Sequence, residues 1–210
     1  MSHVTVKTGQ SSSFCYELAM ITIKPLHNLS WPEIERIVTG YDSTEKYAVH
    51  KIEDELQILF EIELEPLLVP YHKSFVTDET TYHILLEAVG EGFSLGAYDE
   101  QRLVGVAITE PRRWNNSLWV WEFDIEASYR KQGVGRLLME TLVERSRQAG
   151  FRCIVCETQN TNVPAIRFYR QLGFELEGVD LSYYTNRDVS DFEVAFFMKR
   201  KLDELQQQGN

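Results

Sequence analysis

The chain has 210 residues, 43% of them hydrophobic, which suits one globular domain with a full core or a domain plus an appendage. Its 21 Lys and Arg stand against 32 Asp and Glu, a net charge of -11. Such a surface disfavours nucleic acid and anionic membrane and suits a cationic small molecule. No apolar run approaches the ~20 residues that span a bilayer, and no signal peptide opens the chain, so a cytoplasmic protein is expected.

In chain order, residues 1–19 are polar and without period, and read as a tail or extension. The packed domain is expected over 20–202, with a polar tail over 203–210. Ile21-Thr22-Ile23 starts a strand. Ser30-Trp31-Pro32-Glu33 has capping-box spacing, so a helix follows. Acidic and apolar residues alternate from Glu53 to Glu65, a pattern open to helix or strand, and Pro66 and Pro70 should end it. Strands are expected over Phe93–Tyr98, Leu103–Thr109 and Leu118–Ile125, with Pro111 to Asn116 as a loop. A helix runs to about Ala149, its apolar stripe at Val134, Leu137, Leu138, Leu142 and Val143, with Gly150 as its stop. Phe151–Thr158 reads as a strand, Val163–Gln171 as a helix capped by Gly173, and Phe174–Tyr184 with Phe192–Lys199 as a closing antiparallel pair. The class is mixed α+β around a central β–loop–α–β unit.

Three cysteines, Cys15, Cys153 and Cys156, are too few for a disulfide framework. Cys153 and Cys156 lie in a strand pattern, where positions i and i+3 face opposite ways, so they read as core. The five histidines show no metal spacing, and no metal is expected.

Two strings carry chemistry. Arg130-Lys131-Gln132-Gly133-Val134-Gly135 runs straight into a helix. Its glycines let the backbone approach a ligand, and the helix offers N–H groups and a positive dipole end to an anion, most often a phosphate. The dinucleotide template fails because Leu138 stands where a third small residue is needed, and no P-loop string exists. Downstream, Asn162-Val-Pro-Ala165-Ile-Arg-Phe168-Tyr169-Arg-Gln-Leu-Gly173-Phe174 begins with a good N-cap, and Ala165 and Tyr169 share a helix face.

Together these strings resemble the GNAT superfamily of acetyl-CoA-dependent N-acetyltransferases, over about residues 93–200 and most strongly over 118–174. The resemblance implies a mixed, mostly antiparallel sheet of about 6–7 strands flanked by helices, with a splayed central parallel pair. It implies that backbone N–H groups from Lys131, Gln132, Gly133, Val134, Gly135 and Arg136, in a loop opened by Arg130, bind the coenzyme A pyrophosphate. Phe123, Asp124 and Ile125 would pair with the pantetheine amides, Asn162 would contact the coenzyme, and Tyr169 would protonate the departing thiolate. Glu157-Thr-Gln-Asn160, Gly178-Val-Asp180, Pro70-Tyr-His-Lys-Ser-Phe75 and the ending Phe192-Glu-Val-Ala-Phe-Phe are similar to streptothricin acetyltransferases, which acetylate a β-lysine amine of a cationic antibiotic.

The acceptor amine must be neutral to attack. With a pKa near ~10.4, roughly one molecule in 2,500 is neutral at pH 7, a cost of about 4.6 kcal/mol. A carboxylate can accept that proton. Glu122 and Asp124, on one strand face, are the first candidates, followed by Glu157 and Asp180. Tyr183, Tyr184, Trp119, Trp121, Glu61 and Glu63 could add to an acidic, aromatic pocket. Direct transfer in a ternary complex is expected, by a monomer or homodimer. The alternatives are a polyamine or protein-amine acetyltransferase, or a non-catalytic acetyl-CoA-binding module.

Overall fold

The structure is a computed structural model that describes residues 3–5 and 20–202. The tails expected over 1–19 and 203–210, and Cys15, otherwise lie outside the described residues. The chain divides into two units: Met1–Thr39, Phe75–Val155 and Lys201–Asn210 form the first, and Gly40–Ser74 with Cys156–Arg200 the second.

In the first unit, strands β1 (His3–Thr5), β2 (Met20–Pro25), β5 (Leu95–Asp99), β6 (Arg102–Arg112) and β7 (Ser117–Ile125) lie side by side in that order, each antiparallel to the next. β8 (Cys153–Gln159) follows β7 in the order and is reached through helix α3 (Val134–Gln148), the crossover that parallel neighbours require. Its first residues, Cys153–Val155, belong to this unit.

Helix α1 (Trp31–Ile37) starts where Ser30 donates its backbone N–H to Glu33 Oε2 at 2.8 Å, the expected capping box. Helix α2 (Glu79–Gly90) was not legible as a helix from the sequence, although Asp78 Oδ1 accepts from the Thr81 N–H at 2.7 Å as an N-cap should. Leu29, Ile34 and Ile37 around α1 and Leu85, Ala88 and Val89 of α2 bury one core with Val106 and Ile108 of β6. The α3 stripe Val134, Leu137, Leu138, Leu142 and Val143 is buried as its spacing predicts, and α3 packs on β2, β5, β6 and β7. Pro111 and Arg112 do not begin a loop. They extend β6 by pairing with Leu118 and Ser117, and a short 3-10 turn over Arg113–Asn115 follows.

The second unit holds a separate two-stranded sheet of β3 (Tyr41–Glu53) and β4 (Ile58–Lys73), so the ambiguous acidic–apolar stretch is strand. Pro66 and Pro70 do not end it. Among the described residues β4 pairs only with β3, so the missing N–H groups disturb no second ladder, and a register shift opposite Ser43–Glu45 absorbs residues 67–70. At the hairpin base Gly40 has φ +99°, and a Cβ there would lie 1.9 Å from the Lys73 carbonyl oxygen, so only glycine fits.

This unit also contains Cys156–Gln159 of β8, helix α4 (Val163–Gln171), β9 (Glu175–Asp180), the short helix α5 (Asp188–Asp191) and β10 (Ala195–Lys201), in the order β8-β10-β9. β9 and β10 pair antiparallel as expected, but β9 stops at Asp180 rather than reaching Tyr184. Asp188 is buried and accepts the backbone N–H groups of Tyr184 (2.9 Å) and Thr185 (2.6 Å), so it folds that segment into a loop. Asn160 ties three segments together: its Nδ2 donates to the Tyr47 carbonyl and its Oδ1 accepts from the Val194 N–H, both at 2.8 Å.

Candidate active site

The loop after β7 has the geometry of an anion cradle. Lys131 (φ +60°) and Gly133 (φ +87°) are both left-handed, and Gly133 is the residue from which α3 springs. A Cβ on Gly133 would meet nothing within 4 Å, so glycine is favoured there by the backbone angle and not by space. The helix's first N–H groups, those of Val134, Gly135 and Arg136, have no acceptor within the helix. Lys131 and Arg136 are exposed beside them. Gln132 donates from Nε2 to the Ser128 carbonyl at 2.6 Å, which fixes the loop from below.

Arg130 turns back onto the strand. Its Nε donates to the Ile125 carbonyl at 2.7 Å, and its Nη2 donates to Asp124 Oδ1 at 2.8 Å and Thr39 Oγ1 at 3.1 Å. Asp124 Oδ1 also accepts the Ile125 N–H at 2.8 Å. Burial pushes the Asp124 carboxyl up to about 6, against the pull of Arg130. Of the two expected strand carboxylates, this one is therefore engaged in holding the loop.

Glu122 and Asp124 lie opposite Ile108 and Val106, on the sheet face that α1 and α2 cover, while Phe123 and Ile125 alternate to the other face. The β6–β7 register shifts between Ile108 and Thr109, so Trp121 is an extra residue on β7 directly before Glu122. A bulge of this kind re-aims the side chains beyond it. Trp119 and Trp121 already carry a cation of the protein's own: the Arg112 guanidinium lies 5.5 and 5.6 Å from their ring centres, and Trp121 donates to Glu110 at 2.7 Å.

In the second unit, Asn162 Oδ1 accepts the Ala165 N–H at 3.2 Å, so capping α4 uses the carbonyl half of the side chain and leaves the amide donors as what it can offer a ligand. Tyr169 is buried, its ring 5.5 Å from that of Phe174, and its hydroxyl hydrogen-bonds Cys156. Burial raises the Cys156 thiol far above its usual range, so it stays protonated and is a poor nucleophile.

On the opposite face of β8, Glu157 accepts a hydrogen bond from the Tyr184 hydroxyl. Burial pushes Glu157 up to about 7, with Tyr184 and Lys73 pulling it down and Glu193 pushing it up. Glu193 accepts from the Tyr71 hydroxyl at 2.6 Å and from Lys73 Nζ, and Lys73 Nζ lies 5.8 Å from the centre of the Tyr184 ring. Glu193 and Lys73 were not singled out from the sequence. Glu193 lies beside Phe192 in the quoted ending and Lys73 within the quoted Pro70–Phe75 string, but neither string says that a carboxylate and an ammonium would meet. Asp180 accepts from the Ser182 N–H and ends a turn, while Tyr183 stacks edge-on against Tyr184 and Phe197. Glu61 and Glu63 sit on β4, opposite His50 and Ala48.

Residues 56–174, more than half of the chain, match the Acetyltransferase (GNAT) family. The chain belongs to the GNAT acetyltransferase family. It is similar to the streptothricin acetyltransferase of Streptomyces lavendulae, 32% identical over 46% of this chain and 50% of that one. It is also similar to the Escherichia coli streptothricin acetyltransferase, 29% identical over 61% of this chain and 69% of that one. The chain thus spans about half the length of the first relative and about two thirds of the second. A Bacillus anthracis str. Ames structure in complex with acetyl coenzyme A has the same fold, with a TM-score of 0.65 and 24% identity over 87% of this chain and 99% of that one. The GNAT-like fold expected from the loop and the Asn162–Phe174 string is therefore borne out. No helix among the described residues is long and apolar enough to cross a membrane.

Proposed function

We propose that this GNAT acetyltransferase transfers the acetyl group of acetyl-CoA to a primary amine of a cationic small molecule, with the β-lysine amine of streptothricin as the best-fitting acceptor. The observation that carries the reading is the Lys131–Arg136 cradle at the start of α3, in a chain that is similar to streptothricin acetyltransferases. Two left-handed residues and a helix N-terminus fit a pyrophosphate, and the exposed Lys131 and Arg136 add positive charge to an otherwise acidic protein.

Acetyl-CoA, when bound, supplies the thioester that the amine attacks. In the first unit, the first-turn N–H groups of Val134, Gly135 and Arg136 would hold its pyrophosphate and backbone groups of Phe123–Ile125 its pantetheine arm; in the second unit, the Asn162 amide is the group that would donate to the coenzyme. A backbone N–H of that strand segment steadies the developing oxyanion. Tyr169 donates its hydroxyl proton to the leaving sulfur.

Glu157 is the best-matched proton acceptor. A carboxyl poised at about 7 is close to half-ionised at neutral pH, where a general base combines availability with driving force. Asp124, bound to Arg130, positions the loop, and Glu122 on the same face is an anchor for a second ammonium. Cys156, held protonated, takes no acyl group, which favours direct transfer in a ternary complex.

The test is acetylation of streptothricin by the purified chain, followed by thiol release and by mass spectrometry of the modified nitrogen. Turnover confined to polyamines or to peptide amines would overturn the acceptor assignment. Tight acetyl-CoA binding without turnover on any amine would replace the enzyme by a binding module.

A further inference from the structure

Glu157, Tyr184, Glu193, Tyr71 and Lys73 all belong to the second unit, and the transfer described above gives no task to the last three. Tyr71 and Lys73 stand two residues apart on β4, so they face the same way. Each takes one oxygen of the Glu193 carboxyl: the Tyr71 hydroxyl donates to Oε1 at 2.6 Å and the Lys73 ammonium donates to Oε2. Held there, the ammonium lies 5.8 Å from the centre of the Tyr184 ring, and the Tyr184 hydroxyl donates to Glu157. Lys73 is 23% and Glu193 19% exposed, so solvent screens this pair less than a surface pair. The backbone fixes where Lys73 stands. It closes β4 opposite Tyr41, and the chain at Gly40 passes too near its carbonyl oxygen for any side chain to fit between them. Tyr41 in turn hydrogen-bonds Thr161 at 2.7 Å, which ties this end of the hairpin to the segment after β8. The lysine is thus anchored at both ends, its main chain by the hairpin and its head by Glu193.

The groups that act on Glu157 come from several elements. Burial raises its titration most; Tyr184, on the loop after β9, and Lys73, on β4, pull it down, and Glu193, between α5 and β10, pushes it up. Tyr41 of β3 and Tyr71 of β4 stay neutral, because burial holds both hydroxyls above their usual range. Asp188 of α5 is engaged by the backbone N–H groups of Tyr184 and Thr185. His72 and Asp42, opposed on the other face of the hairpin, pair with each other. On the face that meets Glu193, Lys73 is the cation.

We infer that Lys73 is a positioning residue for the proton acceptor: with its head fixed by Glu193, it stands a positive charge beside the Tyr184–Glu157 hydrogen bond and favours the carboxylate form that can take a proton. The inference rests on the reading of Glu157 as that acceptor. Glu157 is charged before it takes the proton and neutral afterwards, so a nearby cation stabilises the ready form. An unopposed cation would also weaken it as a base, and Glu193 offsets part of the effect. An opposite charge within ~4–6 Å favours a carboxylate by about 1–3 pH units. With Glu193 opposing, the lower end of that range is expected for Lys73.

Lys73→Met removes the charge and keeps most of the stem. The acid limb of kcat/KM, measured with acetyl-CoA and streptothricin, should move up by about one pH unit from its wild-type position near 7, which lowers kcat/KM at pH 6 about tenfold. Lys73→Arg restores the charge and should bring the limb back towards 7. Carbon NMR of the Glu157 carboxyl, assigned with Glu157→Gln, follows the same titration in wild type and Lys73→Met without any acceptor. A Glu157 titration that does not move in Lys73→Met, a loss of activity by the same factor at every pH, or a limb that Lys73→Arg leaves displaced would each overturn the proposal. An acid limb that survives in Glu157→Gln would overturn the proton-acceptor assignment and this inference with it. A limb lost in Glu157→Gln but unmoved in Lys73→Met would overturn this inference alone. If Lys73→Met fails to fold, Lys73→Gln, whose amide can still donate to Glu193, is measured against the same outcomes.

Discussion

Arg130 and Asp124 are joined at 2.8 Å, the guanidinium of the loop's first residue reaching back to the strand it has just left. The same guanidinium caps the Ile125 carbonyl, so one side chain sets the angle at which the chain leaves β7 for the cradle. Removing either partner leaves the other half-buried and uncompensated. Arg130→Ala and Asp124→Ala are each expected to cost about 2–4 kcal/mol and to weaken acetyl-CoA binding. The double variant should fall short of their sum by about 1–3 kcal/mol. Urea unfolding of the four proteins measures this, and strict additivity would mean the contact carries no energy.

The glycines of the cradle separate two effects. Gly133→Ala places a Cβ at φ +87°, with an expected loss of about 1–2 kcal/mol in stability or in loop closure. Gly135→Val adds bulk where the pyrophosphate is proposed to sit. Titration calorimetry should show acetyl-CoA affinity falling tenfold or more in both. An unchanged affinity in Gly135→Val would remove the loop from coenzyme binding.

For Tyr169, substitution by Phe keeps the ring against Phe174 and deletes only the hydroxyl. kcat should fall about 10- to 1000-fold, with little change in acetyl-CoA affinity, since a positioned acid contributes roughly 10²–10⁴. Unaltered turnover would leave Tyr169 a core residue.

Glu157 gives a pH signature with a definite sign. As the proton acceptor it must be ionised, so kcat/KM should rise with pH and level off above about 7, and Glu157→Gln should lose both the activity and that acid limb. Stability moves the other way. The folded carboxyl holds its proton more tightly than the unfolded one, so stability present below the ordinary carboxylate range is lost as pH rises through about 7. Denaturant midpoints for wild type and Glu157→Gln across pH 4 to 8 should therefore converge at low pH and separate at high pH, with the variant the more stable.

Asn160→Ala should cost about 2–5 kcal/mol, because the Tyr47 carbonyl and the Val194 N–H would both be left buried without a partner. Thermal unfolding reads this directly. A loss under 1 kcal/mol would mean that water replaces the amide.

The sequence made the central elements legible because their signals are local. Asn162 capping α4, the five-residue stripe of α3 and the Ser30–Glu33 box each act within four residues of themselves. The hairpin was not legible, since alternating acidic and apolar residues fit helix and strand alike, and the choice is made by Asn160 more than a hundred residues away. α2 was missed because Ile84-Leu85-Leu86-Glu87-Ala88-Val89 is a short, nearly continuous apolar run, and such a run fits a buried strand as well as a helix. The roles of the carboxylates depended on distant partners. Nothing near Glu157 in the chain reveals that Tyr184 donates to it, and nothing near Asp124 distinguishes an active-site base from a brace for Arg130 until the loop folds back.

The cradle at the start of α3 presents main-chain N–H groups. If the coenzyme binds there as proposed, a compound that competes by binding those donors would meet atoms that no single substitution deletes except one to proline. Substitutions at Lys131, Gln132 or Arg136 would alter the rim and leave the donors in place, while those at Gly133 or Gly135 would harm coenzyme binding along with the inhibitor's. An inhibitor aimed there leaves the protein few routes of escape that keep it active.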